Sequence, residues 1–302
     1  MLNFTIQKEE ADQTLISFLK KRFKTTPLSL IYKLFRTKKI KINGADVRYY
    51  HHRLKAGEKI EIFDNHLKKT NLTIYPLSQS KIYFEIVYED KNILLAHKEH
   101  GITIPSLDNA IRYYLSEKNP QEYKRQIENF FVLTAAHRLD KVTKGLVIYP
   151  KNPSAKKVLY KAIADKSKIT KKYLAFCENL PKKKLPSYIS GYLEKNEREQ
   201  KMEFSLKTTN PQAKFCALEA KKVGEKNGYQ ILEITLHTGR KHQIRAILAH
   251  FGLPIVGDKK YGSKIILKDK IYLIAYKVLF VDLPSPLSYL NGKVFEIKTE
   301  IS

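Results

Sequence analysis

From residue 81 onward, short apolar strand-like runs alternate irregularly with isolated helical stretches, and this pattern limits the possible folds more than any other feature. KIYFEIVYED and KNILLAHKEH read as two strands around the turn Glu89-Asp90-Lys91-Asn92. A helix is predicted over SLDNAIRYYLSE and another over PSAKKVLYKAIADKSK. FFVLTAA and GLVIYP read as strands, the first of them buried. So do KKYLAFCE, AKFCALEAKKV, YQILEITLHT and YLIAYKVLFVDL. GRKHQIRAILAHFG reads as a helix closed by Gly252. A doubly wound parallel sheet would need a helix between most strands. Several strands here are joined by short turns instead, so the expected class is α+β with a mixed, largely antiparallel sheet.

The first 64 residues form a separate expectation, a small α/β module. Asp12 is placed to cap a helix through TLISFLKKRF, and Pro27 suits the first turn of a second helix, PLSLIYKLFRTKK. Two short strands follow, KIKING and GEKIEIF, with Asn43-Gly44 as a hairpin turn. Residues 65–80 are polar and read as a linker to a larger domain, residues 81–302. The chain carries 56 Lys and Arg against 30 Asp and Glu, a formal charge of +26, which points to a polyanionic partner. Between Lys20 and Lys41 there are nine Lys or Arg and no Asp or Glu. Solvated helix faces usually mix both signs, so Lys20, Lys21, Arg22, Lys33, Arg36, Lys38 and Lys39 are predicted to contact phosphates.

No apolar run reaches the ~18 residues of a membrane span. The start, MLNFTIQKEEADQ, lacks the pattern of a secretory signal. Cys177 and Cys216 are too few for a disulfide framework or a cysteine-based zinc site. A soluble cytoplasmic protein is expected, with no membrane association and no metal. His237, His242 and His250 lack regular ligand spacing.

Two segments carry chemistry. In AAHRLDKVTKGLVIYPKN a buried strand is expected to deliver His137-Arg138-Leu139-Asp140 into a polar turn. A carboxylate beside cations at a strand end can act as nucleophile or base. In HTGRKHQIRAILAHFGLPIVGDKKYG the predicted helix carries Arg240, His242, Gln243 and Arg245, with Lys241, His242 and Arg245 on one partly buried face. A buried arginine there requires a carboxylate partner.

At these segments the chain resembles the RluA-type family of RNA pseudouridine synthases. HRLDKVTKGL is similar to the family's H-R-L-D-x-x-T-S-G-L signature. GRKHQIRAIL and GLPIVGDKKYG resemble G-R-T-H-Q-I-R-V-H-L and G-x-P-I-x-G-D-x-x-Y-G, and YEDKNILLAHKEHG resembles the E-D-x-x-I-L-V-x-N-K-P-x-G opening. The N-terminal module resembles an S4 RNA-binding domain, and its PLSLIYKLFR and KING stretches resemble the RluC type that modifies large-subunit ribosomal RNA. The resemblance implies a pseudouridine synthase fold with a central cleft. It implies that Asp140 is the catalytic aspartate and Arg245 its partner. Tyr173 stacks on the uracil and takes part in removing its C5 proton, and Arg138 is associated with the space vacated by the flipped base. His137, Arg240, His242 and Gln243 are expected to contact RNA. The reaction breaks N1–C1′ of a uridine, turns the base and rejoins it through C5, so neither redox cofactor nor metal is expected. Four positions depart from the family pattern: Lys144 for Ser, Lys241 for Thr, His97-Lys98-Glu99 for N-K-P, and Leu273-Ile274-Ala275 for L-H-A. The expected partner is large-subunit rRNA, alone or in an assembling particle, with a monomeric enzyme favoured. The alternatives are the same reaction on tRNA, or a catalytically silent RNA-binding or ribosome-assembly factor.

Overall fold

A computed structural model describes residues 1–7, 10–23, 26–47, 49–64, 83–129, 131–165, 167–178 and 185–299. The expected linker at 65–80 lies outside the described residues. Two compact units emerge, the smaller built from the N-terminal segment together with 112–132 and 152–154.

The N-terminal segment folds as β1 (Leu2–Thr5), α1 (Leu15–Arg22), α2 (Leu28–Arg36), β2 (Ile40–Ile42), β3 (Ala45–Asp46) and β4 (Lys59–Ile62). The strands form an antiparallel sheet in the order β1-β4-β2-β3. Asn43 and Gly44, at φ 50° and 80°, make the two-residue turn between β2 and β3. That turn requires left-handed backbone at both positions, which Asn and Gly adopt most readily. Thr14, and not Asp12, caps α1: its hydroxyl accepts from the Ser17 N–H, while Asp12 sits at φ 64°. Leu15, Ile16, Phe18 and Leu19 of α1 and Ile31, Leu34 and Phe35 of α2 close over Phe4, Ile40, Ile60 and Ile62. Each such side chain, fully buried, contributes about 1.5–3 kcal/mol before entropy is counted.

The larger part of the chain continues as β5 (Phe84–Glu89), β6 (Ile93–Lys98), α3 (Ile104–Lys118), α4 (Pro120–Glu128), β7 (Lys144–Pro150), α5 (Pro153–Ala164) and β8 (Ile169–Cys177). It ends with β9 (Tyr188–Asn196), β10 (Lys201–Ser205), β11 (Lys214–Lys226), β12 (Tyr229–Leu236), α6 (Gln243–His250), β13 (Leu273–Phe280) and β14 (Val294–Glu296). One ten-stranded sheet runs β10-β9-β11-β12-β8-β13-β7-β6-β5, with β14 added on β13. Every pairing is antiparallel except β13 with β7. The class is therefore α+β with a mixed, mostly antiparallel sheet, as the strand spacing indicated.

The parallel seam depends on Gly145. It sits at φ 131° opposite Ala275, and a Cβ there would lie 2.3 Å from the Ala275 carbonyl oxygen. Only glycine allows the two strands this approach. The main core lies beside this seam, where Ile93, Leu95, Leu146 and Ile148 meet Leu159, Phe176, Ile274 and Phe280.

Three local expectations are corrected. FFVLTAA is not a strand: Phe131 and Leu133 are buried, but the segment runs as irregular chain toward residue 143. Apolar content alone cannot distinguish a buried strand from a buried connection. The helix expected from residue 239 begins only at Gln243, because His242 takes a left-handed conformation, φ 54°. Lys241 and His242 therefore precede the helix and share no helical face with Arg245. Finally, β9, β10 and α4 carry enough charge to hide their periodicity, although Asn119 caps α4 and Pro120 opens it.

Candidate active site

Three elements meet at a cleft in the larger unit. The connection before β7 supplies Arg138 and Asp140, the middle of β8 supplies Tyr173, and the turn and helix after β12 supply Arg240, His242 and Arg245. Leu139, Leu236, Ile244 and Leu273 give the cleft apolar walls, and it holds about 390 Å³ up to its mouth.

Asp140 is held from both sides. Its own carbonyl accepts from Thr143 N–H, a tight turn within the loop. The following residues are tied to the end of β6: Lys141 O accepts from Gly101 N–H and from Lys98 Nζ at 3.2 Å, and the His100 ring bonds Val142 O at 2.8 Å. On the other side of the loop, Ala136 N–H donates to Ile148 O, and the His137 Nε2 accepts from Ile148 N–H. His137 thus anchors the loop to β7 through a ring nitrogen that must be unprotonated.

Opposite Asp140 stands Arg245, which is almost wholly buried. Its Nε and Nη2 bond the two oxygens of Asp258 at 2.7 and 2.8 Å. This fork fixes the guanidinium plane and directs Nη1 at Asp140 Oδ2, 3.1 Å away. The ring of Tyr261 lies under the guanidinium, 4.9 Å from its carbon. Burial works against the charge of Arg245, but bonds and attraction from Asp258, then Asp140, raise its pKa overall. The carboxylate partner that the helix position called for is thus two carboxylates, one structural and one facing the cleft.

Asp258 is 1% exposed, and its loop is held by further buried bonds. Gly257 N–H donates to Ser263 Oγ at 3.0 Å, Ser263 Oγ donates to Glu178, and Lys264 N–H donates to the same carboxylate. Glu178 follows the end of β8, so a rigid strand sets the position of Asp258, then Arg245, then Asp140.

His242 completes the wall. Its Nδ1 lies 3.0 Å from the Tyr261 hydroxyl and its Nε2 3.7 Å from Asp140 Oδ2. Burial and the neighbouring Arg245 push its pKa down to about 4, against the pull of Asp140. It is therefore a neutral ring at pH 7. Burial, and the same charge of Asp140, hold the Tyr173 phenol protonated well above its usual range. Burial likewise raises the Tyr261 phenol to about 12.

Of the remaining expected contacts, Arg138 and Arg240 are exposed at the mouth, and Arg240 Nε bonds Phe215 O at 3.1 Å. Gln243 is different. It is 2% exposed, its Nε2 donates to Ala217 O, and its Oε1 accepts from Thr238 Oγ1 and Arg240 N–H. It fixes the turn that carries Arg240 and stands in the cleft lining. In the N-terminal unit Lys20, Lys33 and Arg36 are exposed, and Lys21 is exposed with its Nζ on Gln13 Oε1. Lys38 and Lys39 face Asp46 and Asp64 at 3.9 and 3.0 Å. Arg22 leaves the phosphate set: it is buried on Glu10 at 2.7 Å, with its guanidinium 4.7 and 4.5 Å over Phe4 and Phe18.

Asp258, Tyr261 and Lys98 were not singled out by sequence. All three lie inside recognisable motifs, but their roles need partners distant in the chain. Lys98 is fully buried with its ammonium on Glu99 O, Ile102 O and Lys141 O, and burial lowers its pKa to about 8. Three departures from the family pattern also come together. Lys144 pairs with Glu99 at 3.0 Å and sits opposite Ile274 in the parallel seam. Lys144 is thus neutralised by a second departure and is not a spare phosphate contact.

A mixed, mostly antiparallel sheet with a cleft beside its parallel seam is also the architecture of solved RNA pseudouridylate synthases. The fold agrees: the chain superposes on Human RNA Pseudouridylate Synthase Domain Containing 4 with a TM-score of 0.54, covering 70% of this chain and 87% of that one at 18% identity. Residues 92–250 match the RNA pseudouridylate synthase family, and the chain belongs to it. An "Uncharacterized RNA pseudouridine synthase" of Mycoplasma capricolum is 39% identical over 97% of this chain and 96% of its own length. "Ribosomal large subunit pseudouridine synthase C" of Buchnera aphidicola (strain APS) is 30% identical over 85% of this chain and 80% of its own. The protein is an RNA pseudouridine synthase.

Proposed function

We propose that this enzyme converts particular uridines of large-subunit ribosomal RNA to pseudouridine in the cytoplasm, with Asp140 as the reacting carboxylate. The observation that supports the mechanism is the Asp258–Arg245–Asp140 bridge, which fixes one carboxylate of the pair at the cleft. The support for the substrate is the pair of Buchnera relatives named for the large subunit, 30% and 32% identical over 85% and 87% of the chain. The N-terminal unit is read as an S4-like RNA-binding domain.

The target uridine leaves its stack and enters the cleft, where Tyr173 replaces part of the lost stacking, worth about 1–3 kcal/mol per base. Arg138, exposed at the mouth, is read as the residue that fills the space the base vacates. Asp140 then reacts at C1′ or C6, or stabilises a glycal, while N1–C1′ breaks. The base turns, C5 bonds C1′ as the bond Asp140 made to C1′ or C6 is released to give back the carboxylate, the C5 proton departs and N1 is reprotonated, so atoms and charge balance. Arg245 supplies the opposite charge beside that carboxylate as water leaves the cleft. Tyr173 is a neutral phenol in the free protein, so it accepts the C5 proton only after passing its own onward, and neutral His242 does not compete for Asp140 as a cation.

A nucleotide-resolution pseudouridine map of cells with and without the gene tests the substrate. Sites lost from large-subunit rRNA are expected. Loss confined to tRNA would overturn the rRNA assignment and leave the reaction in place. Unchanged maps, with RNA binding but no turnover by the purified protein, would establish a silent binding factor.

A further inference from the structure

One aromatic cluster of the N-terminal unit faces solvent instead of the core. Tyr49 is 74% exposed, Tyr32 42% and Tyr50 39%. The rings of Tyr49 and Tyr50 are near-parallel, 16° apart in plane with centroids at 6.4 Å. Tyr32 meets Tyr50 edge-on at 5.3 Å, and His51 lies 4.5 Å from Tyr50. Tyr50 is seated through Phe35 at 6.1 Å, a residue of the small core. Large exposed rings cost solubility and add nothing to a core they do not enter, so a contiguous group of them marks a contact surface.

The surrounding charge identifies the contact. Tyr32, Lys33 and Arg36 are exposed on α2, and Tyr32 and Arg36 are one helical turn apart on the same face. Glu58 is turned into local bonds, to His52 Nε2 at 3.1 Å and to Lys55 N–H at 2.8 Å. Aromatic faces beside unpaired cations form the recognition pattern for single-stranded nucleic acid, in which rings stack on bases and cations track the backbone. A-form duplex offers no free base face to stack on.

We propose that Tyr49, supported by Tyr50 and Tyr32, is a stacking platform for unpaired bases of the RNA substrate, and that Lys33 and Arg36 hold the adjoining phosphates. The inference rests on the RNA-binding reading of this unit. It adds a requirement for a single-stranded stretch in the RNA substrate, read independently of the uridine in the cleft.

The test uses the full-length protein, a mixed-sequence single-stranded oligoribonucleotide and a duplex of the same length, with affinities measured across a salt series. Tyr49→Ala is expected to weaken single-strand binding roughly five- to a hundredfold, one base's worth of stacking, with the salt slope and duplex affinity unchanged. Tyr49→Phe, which keeps the ring, should bind as the parent does. Lys33→Gln with Arg36→Gln should instead lower the salt slope by about two phosphates' worth on both RNAs. Wild-type single-strand affinity in Tyr49→Ala, or an equal loss on single strand and duplex, would overturn the platform and leave the rings to a protein partner. An unaltered salt slope in the double cation variant would count against the RNA-binding reading of the unit, which Tyr49→Ala does not test.

Discussion

Replacing Asp258 by Asn changes one atom in a side chain that faces no substrate, yet the structure predicts a large loss of rate. Arg245 has three bonds that fix it, two to Asp258 at 2.7 and 2.8 Å and one to Asp140 at 3.1 Å. An asparagine retains one acceptor and turns an NH₂ toward a guanidinium N–H. One charge-assisted bond is lost, worth about 1.5–3 kcal/mol, and a buried cation loses half of its compensating charge. Together these cost about 3–5 kcal/mol of stability, the usual effect of breaking a buried ion pair from one side. A protein of typical stability, about 5–15 kcal/mol, remains folded after such a loss. The catalytic effect follows from position. With the fork gone, the guanidinium is free to move by about 1 Å, and a misplacement of that size costs roughly 10²-fold in rate. Single-turnover pseudouridine formation should therefore fall about 10²-fold, while RNA affinity is nearly unchanged because Asp258 does not reach the mouth. A denaturant titration run alongside gives the stability term independently. Asp258→Asn with the parent's rate, despite a lowered denaturation midpoint, would refute the positioning argument.

Three further outcomes follow. His242 has a pKa of about 4 when folded and about 6.5 when unfolded, so the unfolded chain binds the extra proton between those values. Its contribution to stability is complete above pH 6.5 and declines as the pH falls toward 4; His242→Gln should therefore show a shallower acid decline in denaturation midpoint than the parent, and equal slopes would contradict the burial of that ring. Gly145→Ala should abolish soluble expression, because its Cβ would lie 2.3 Å from a backbone oxygen across the parallel seam; a soluble protein with the parent's melting temperature would be inconsistent with that register. Lys98→Met should destabilise by about 1–3 kcal/mol, since Glu99, Ile102 and Lys141 lose a common donor, and a melting curve measures it.

Much of this was legible in the chain, for reasons that differ from element to element. The strand pair around Asp90 lies within a local pattern, a turn that Asp90 closes by accepting from Asn92 and Ile93 N–H, whereas the parallel seam at Gly145 joins it to Ala275, far along the chain, and shows only in the fold. Asp140, Tyr173 and Arg245 came from motifs, and the structure brings all three to one cleft. The demand of a buried arginine for a carboxylate was physical and general, but the identity of Asp258 was hidden. It lies 13 residues beyond Arg245, and the second carboxylate, Asp140, lies 105 residues before it, so only folding reveals the bridge. The segment 131–143 misled because burial of Phe131 and Leu133 satisfies the same hydrophobic demand in a loop as in a strand. His242 misled for the opposite reason: a left-handed residue interrupts a sequence whose composition is helical on both sides. Arg22 shows the limit of reading charge by type, since a cation in a basic run can be a core residue once Glu10 and two phenyl rings surround it.

The most direct test of the account is pseudouridine formation by Asp140→Asn under single-turnover conditions, on an RNA that the parent enzyme modifies and without added cofactor. Asparagine can still accept from Arg245 and leaves the cleft walls in place, so RNA binding should persist while product formation disappears. Isomerisation at a rate near the parent's would contradict the assignment of Asp140 as the reacting group.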